Sequence, residues 1–272
     1  MKIFMHDIIV CYLCTKFDDL DSFDYFIKNY KKYDSGLKHK LLICYKMLNA
    51  KSIYLRENKL HAIKHIQYLD PSSENDFDFG SYYRVCKKFP KHKIFFLTGS
   101  DYPVKKFWLK NIVKHYNINS LIGTSASYQS LLSSHKLKKF YKIIDFLINY
   151  FKLKKNFPGF PNPHIRSTGF LIFAKNYIQF YKNKSCKSKF DAWKLESGKD
   201  SLTNFFISKK YMVYVVNSDG NKFNINQWHL SKTFNYAEQD KFIISDKHTR
   251  KYLNLKNIEK KKFQLSTWGV NN

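Results

Sequence analysis

Arginine is scarce in this chain: Arg56, Arg84, Arg166 and Arg250 are the only four among 48 basic residues. Acidic residues number 21, which leaves a formal net charge of +27 at pH 7. Lysine lacks the planar fork that grips phosphate bidentately. The surplus therefore reads first as a solvated lysine surface, and second as attraction to a polyanion or an anionic membrane. No zinc-finger spacing, aromatic-basic RNA signature or helix-turn-helix pattern accompanies it, so no nucleic acid is expected as a partner. Cysteines are few and odd in number (Cys11, Cys14, Cys44, Cys86, Cys186), which argues against a disulfide framework and for a reducing compartment. The Cys11-x-x-Cys14 pair falls at the end of an apolar run, with no helix N-terminus directly behind it to lower a thiol pKa. Nowhere do about 18 apolar residues follow one another, so no spanning helix is expected. The first residues lack a cleavable signal. The expected location is the cytoplasm, in places at the inner face of the membrane. There is no Gly-x-Ser-x-Gly, since Gly123-Thr124-Ser125-Ala126 lacks the second glycine. There is no P-loop and no G-x-G-x-x-G either, which removes the usual signals of serine hydrolases, NTPases and dinucleotide enzymes.

What the chain does have is apolar mass. It holds 272 residues, of which 44% are hydrophobic and 18% aromatic, enough for a substantial core and incompatible with wholesale disorder. Buried strands are expected over residues 8–13, 41–45, 93–97, 120–123 and 211–216, with an extended segment over 164–173. Helices are expected over 18–32, 79–88, 107–115 and 201–209. Residues 58–69 fit either a short helix or a strand-bearing linker. Strands alternating with helices predict an α/β fold with a mostly parallel sheet and crossover connections. The expected organisation is one domain over 1–220 with a C-terminal extension over 221–272 packed on it. Residues 129–155 read as a basic helix in which Lys136, Lys138, Lys139, Lys142, Lys152, Lys154 and Lys155 interleave with apolar residues. That stretch is either an ordinary amphipathic helix on the sheet or a contact for an anionic membrane. Residues 182–190 are polar, basic and expected to be mobile.

Four stations carry side chains suited to chemistry. In the first, Asp76 and Asp78 bracket an aromatic just before a helix, where a carboxylate is either a cap or a ligand acceptor, and Gly80 would let a ligand approach the backbone. In the second, Thr98-Gly99-Ser100-Asp101 ends the KIFFL strand. The carboxyl end of a strand in an open α/β sheet is where ligands sit, and Asp101 there suits Mg²⁺ or Mn²⁺ on a diphosphate, or sugar hydroxyls. In the third, His164 and Arg166 alternate onto one face, placed to hold a phosphate or an acidic sugar, or simply to pair with each other. In the fourth, Glu196 and Asp200 stand four apart. Asp200 or Ser201 is a candidate cap, and Glu196 is the better candidate for a general base.

Taken in order, these stations resemble a family of bacterial glycosyltransferase-like proteins related to the large family 2 of nucleotide-sugar transferases. The segments that carry the resemblance are SFDYFIKNYKKYDSGLKHKLLICYKML, FDFGSYYRVCKKFPKHKIFFLTGSDYP, WLKNIVKHYNINSLIGTSASYQSL, NPHIRSTGFLIF, FDAWKLESGKDSLTNFF, WHLSKTF and QDKFIISDKHTRKY. The resemblance implies a GT-A fold, a Rossmann-like α/β/α sandwich that holds a nucleotide diphosphate sugar at the carboxyl strand edge. Tyr45, Lys46 and the Asp78 region would face the nucleotide. Ser100 and Asp101 occupy the place of the metal-binding D-x-D, but Gly99 stands where its first carboxylate would be, which puts ordinary metal dependence in doubt. Glu196, with Asp200 in reserve, would deprotonate the acceptor hydroxyl of a glycan or lipid-linked acceptor, most simply by inverting displacement. His248 and Arg250 would close over the diphosphate, and Arg166 or Lys46 would supply charge that a metal otherwise gives. The competing readings are a catalytically silent GT-A-like domain, a polyanion-binding protein, and another α/β enzyme such as a nucleotidyltransferase.

Overall fold

The computed structural model describes residues 8–137 and 140–270. Lys138 and Lys139 of the basic stretch lie outside the described residues. In chain order the elements are β1 (Ile8–Thr15), α1 (Leu20–Lys32), β2 (Lys40–Lys46), α2 (Ala50–Glu57), β3 (His65–Leu69), α3 (Phe77–Lys88), β4 (Lys93–Leu97), β5 (Tyr102–Pro103) and α4 (Trp108–Val113). They continue with β6 (Ser120–Gly123), β7 (Ala126–Ser127), α5 (Ile143–Asn156), β8 (His164–Ile165), β9 (Phe170–Phe173), α6 (Ala174–Tyr181), α7 (Lys189–Ser197) and α8 (Leu202–Ser208). The last are β10 (Met212–Val216), β11 (Lys222–Phe223), β12 (Ile244–Ser245), α9 (Lys247–Leu253) and α10 (Asn257–Trp268).

Eight strands form the central sheet in the order β11-β10-β6-β9-β4-β1-β2-β3. Only β9 and β11 run antiparallel to their neighbours, so the α/β class with a mostly parallel sheet is the observed one. Alternation along the inner strands feeds two cores. Ile9, Cys11, Leu13, Ile94 and Phe96 face a layer built by Tyr82 of α3, Tyr177 of α6, Leu195 of α7 and Phe206 of α8. Val10, Tyr12, Ile43, Phe95 and Leu97 face Phe23 and Phe26 of α1 and Trp108 of α4. Each such large side chain, fully buried, contributes about 1.5–3 kcal/mol. The same alternation explains the Cys11/Cys14 pair. Three residues apart on a strand, the two thiols point to opposite faces, and burial pushes both pKa values up.

Several helices start on the side chains that the chain supplies for the purpose. Asp19 accepts from the Ser22 amide at α1, Asn49 from Ser52 at α2, and Ser201 from Asn204 at α8. The undecided residues 58–69 are a 3₁₀ turn followed by β3. The extended reading of 164–173 breaks into β8 and β9. The basic helix expected over 129–155 begins only at Ile143. Five helices were not anticipated: α2, α6, α9, α10, and α7, which begins inside the segment expected to be mobile. In α7 the apolar residues Phe190, Ala192, Trp193 and Leu195 fall on no single helical stripe, so the usual periodic signal is missing. Beyond residue 220, β11 joins the main sheet and β12 pairs with β5. The indole N–H of Trp268 donates to the Phe234 carbonyl at 2.8 Å.

Candidate functional site

The chain lays down β1, β2 and β3 toward one edge, then returns to place β4 against the other side of β1. A parallel sheet opens a crevice at the carboxyl ends of the two strands where such a reversal occurs. Here both strands end in the same four-residue pattern. After β1 it is Thr15-Lys16-Phe17-Asp18, and after β4 it is Thr98-Gly99-Ser100-Asp101. In each loop one carboxylate oxygen accepts from the amide and the hydroxyl of the threonine three residues earlier, at 2.7 and 2.8 Å for Asp18 and 2.6 and 2.9 Å for Asp101. The loops interlock. A Cβ on Gly99 would stand 2.1 Å from the Asp18 carboxyl carbon, so glycine is what lets the first aspartate lie against the second loop. Burial raises the Asp18 pKa against the pull of its Thr15 hydrogen bonds. Asp101 is fully buried, and burial together with Asp246 pushes it up to about 7. Its Oδ2 also accepts from the Thr168 hydroxyl, while its Oδ1 is buried without a hydrogen-bond partner.

Beside this crevice runs a buried ionic network. Lys46 at the end of β2 pairs with Asp76 and donates to the Phe77 carbonyl at 2.7 Å, while Arg84 of α3 bridges Asp76 and Asp70. The Lys46 side chain is 1% exposed. The expectation that it faces a nucleotide is therefore corrected: its ammonium is consumed by Asp76, which it helps to keep ionised. Tyr45 is corrected likewise. Its ring lies in the sheet core and its hydroxyl donates to Glu57 at 2.7 Å. Gly80 makes room for protein, not ligand, because a Cβ there would stand 1.8 Å from Asp76 Oδ2. Gly80→Ala is expected to dislodge the Asp76 carboxylate and cost on the order of 3 kcal/mol, read by urea denaturation.

Asp78, in the first turn of α3, is partly buried and takes no part in that network. Burial, then the charge of Glu196, push its pKa up to about 7, with Lys46 opposing. Glu196 lies ahead of α8 and itself within α7, whose burial through Leu195 orients it. Its Oε1 accepts from the Ser167 amide at 2.8 Å. Ser167 and Thr168 thus tie Glu196 and Asp101 to adjacent residues of one turn.

Glu196 borders a cavity of about 270 Å³ together with His164, Arg166, His248, Trp193 and Phe234. His164 is buried, and its Nδ1 lies 2.8 Å from the Asn162 carbonyl. A carbonyl only accepts, so Nδ1 carries the proton and Nε2 is left as a base. Burial lowers the His164 pKa, with Glu196 opposing. Arg166 pairs with Asp246 and stacks its guanidinium 4.1 Å over the Phe234 ring. Burial disfavours the Asp246 anion, but Arg166 outweighs it and holds that carboxyl below its usual range. Asp246 also caps α9, accepting from the amides of His248 and Thr249. His248 is thereby fixed at the cavity rim, its pKa lowered by burial and by Arg166. Arg250 donates to the Ser100 carbonyl at 3.0 Å and lies over the Tyr102 ring, which anchors α9 to the β4 loop.

The structure therefore gathers His164, Arg166 and Glu196 at one cavity; Asp78 lies near enough to feel the Glu196 charge, Asp101 is sealed against Thr168, and Arg250 and Ser100 are tied to each other. It does not bring Asp200 there. That side chain is exposed and borders a separate hollow beside Lys184 and Asp191. Sequence reasoning missed Asp18, Thr168, Asp246 and Trp193. The repeated Thr-x-x-Asp after two buried strands was the signal that would have found Asp18. A larger groove, about 740 Å³, lies by Tyr128, Tyr214 and Ile225. It contains no acidic, basic or histidine side chain, so it offers nothing for proton transfer or charge stabilisation.

The donor set does not suit a divalent cation. Among the described residues no three His, Cys, Asp or Glu side chains are grouped to hold a metal ion. Asp101 is sealed from solvent with Oδ2 already accepting three hydrogen bonds.

No protein-family model matches the chain, and no curated protein does. Among solved structures, it is similar to the mannosyltransferase Ktr4p from S. cerevisiae at 10% identity and a TM-score of 0.40, over 74% of this chain and 62% of that one. The chain thus spans less than two thirds of the length of that transferase. It is similar to TarS from S. aureus, solved in complex with UDP, at 9% identity and a TM-score of 0.41, over 96% and 72%. It is similar also to a nucleotidyl transferase from Methanothermobacter at 7% identity and a TM-score of 0.41, over 75% and 96%. Likenesses this distant carry no argument about the reaction, which rests on the residues of the cavity.

Proposed function

We propose that this chain is a glycosyltransferase of GT-A type that moves a sugar from a nucleotide diphosphate sugar to a hydroxyl of a glycan or lipid-linked acceptor. The observation that carries the reading is the cavity itself. A carboxylate, a neutral imidazole and a guanidinium face one hollow beside the crevice where β1 and β4 diverge. At about 270 Å³ it lies just under the range of roughly 300–1,000 Å³ typical of small-molecule sites. It suits the reacting end of a donor, with the nucleotide extending along the rim past Asp18 and Asp78.

In this reading Glu196 takes the proton of the acceptor hydroxyl. The oxygen attacks the anomeric carbon, the bond from that carbon to the diphosphate oxygen breaks, and the electron pair leaves on the diphosphate. Arg166 meets the charge that develops there, and an N–H of His248 donates beside it. His164 Nε2 accepts from a sugar hydroxyl and orients the ring. A single displacement inverts the anomeric centre. The resemblance to family 2 supports this reading.

One observation favours a second reading, a catalytically silent domain that binds a nucleotide sugar: Asp101 stands without the second carboxylate of a D-x-D and is fully buried. A screen of UDP-, GDP-, dTDP- and CMP-sugars separates the two. A ligand at about 100 times its Kd stabilises the fold by about 2.7 kcal/mol, visible as a rise in Tm. The proposal expects such a rise for one nucleotide class together with release of the nucleoside diphosphate. A rise without turnover, with acceptors supplied, favours the silent domain.

A further inference from the structure

Helix α5 is out of keeping with the rest of the molecule. It has 14 residues and none of them is buried. One row, Phe146, Tyr150 and Leu153, leans on the protein and is half-buried, with the His135 ring stacked on Phe146 at 4.7 Å. The outward-facing row beside it is apolar too. Ile143, Ile144, Leu147, Ile148 and Phe151 are 41%, 70%, 45%, 63% and 63% exposed. Their spacing of three and four places them in one stripe along about 12 Å of helix. No other helix among the described residues exposes more than two large apolar side chains.

We propose that this stripe docks the protein on an anionic phospholipid bilayer. Charge identifies the occupant. Lys154 and Lys155 continue the angular sector of the stripe one turn further on, and Lys152 flanks it, all exposed. Asp145 is the one acidic residue in the helix. Apolar residues on one face with lysines at its margin are the pattern of a helix that lies in the headgroup region, the ammonium ends reaching back to lipid phosphates. A protein interface is the poorer fit, because lysine is depleted from the centres of such interfaces. The net charge of +27 adds long-range attraction to the same surface.

The docked orientation has a consequence that rests on the proposed function. The hollow alongside α5 shares Leu131 and Trp193 with the cavity that holds Glu196. Seated on a bilayer through α5, the protein would hold that cavity beside an acceptor carried on a membrane lipid.

The test is co-sedimentation with vesicles of phosphatidylcholine alone and of equal parts phosphatidylcholine and phosphatidylglycerol. The full chain is expected to pellet with the anionic vesicles and to stay in solution with the neutral ones. The double variant Ile148→Glu/Phe151→Glu, and separately Lys154→Glu/Lys155→Glu, should each weaken pelleting by at least about tenfold. Both pairs are exposed and outside the proposed catalytic machinery, so the melting temperature and any response to nucleotide sugars should be unchanged. Failure of the nucleotide screen with intact vesicle binding would remove the transferase reading alone. A wild-type chain that ignores anionic vesicles overturns the docking proposal. So does a stable dimer in sedimentation velocity that Ile148→Glu/Phe151→Glu converts to monomer, which would make a second copy the occupant.

Discussion

Glu196→Gln should lower turnover by about 10²–10⁴-fold, the range that a positioned general base contributes, while leaving the affinity for the nucleotide sugar nearly unchanged. Glutamine keeps the shape and an acceptor oxygen, so the Ser167 amide retains its partner at the position where Glu196 Oε1 now accepts at 2.8 Å. What is lost is the ability to take a proton. A fall in kcat with constant donor binding by thermal shift identifies an interaction made in the chemical step. A fall in donor binding with kcat intact would place Glu196 in ligand positioning instead. Removal of Glu196 charge should also lower the pKa of Asp78, which it now raises.

Asp78→Asn is expected to stabilise the protein in alkaline solution and not in acid. The Asp78 carboxyl sits at about 7 in the fold against an ordinary value of 3.8. Below about pH 4 both the folded and the unfolded chain hold the proton, and the wild type suffers no penalty. As pH rises toward 7 the unfolded chain releases it first, so stability falls, and above about pH 7 the loss is complete and constant. Full conversion of the shift at 1.36 kcal/mol per unit gives about 4 kcal/mol. Asp78 keeps a solvent-facing edge, so a gain on the order of 2 kcal/mol above about pH 7 is the expected result for the variant. Urea titrations of both proteins across pH measure it, with the two curves meeting in acid. A gain in stability accompanied by a loss of turnover would mark Asp78 as a group held at a cost for function. A pH-independent difference would show that its carboxyl is not strained by burial and Glu196.

The inner strands were legible because they are buried on both faces and read as short apolar runs. The KIFFL run and SLIG coincide with β4 and β6 to the residue. Helix α7 was not legible, since its apolar residues are scattered around its axis, so the helix that carries Glu196 ahead of α8 leaves no periodic trace in the sequence. The charged positions divide by partner. Arg166 was marked by its rarity, and it does reach the cavity, but the Asp246 that positions it is 80 residues away. Lys46 and Gly80 had motif-like settings, and only the folded chain reveals that Asp76 claims the ammonium of the first and the empty space of the second. Asp18 follows β1 as Asp101 follows β4, so the pairing of these loops depends on strand order, which local sequence does not carry.

A structure of the protein with a bound nucleoside diphosphate tests the central claim most directly. The account predicts the terminal phosphate within hydrogen-bond reach of Arg166 or His248, the nucleoside along the crevice past Asp18 and Asp78, and Glu196 facing the vacant sugar position. A nucleotide seated in the apolar groove by Tyr214 and Ile225, or on a face remote from Glu196, would contradict it.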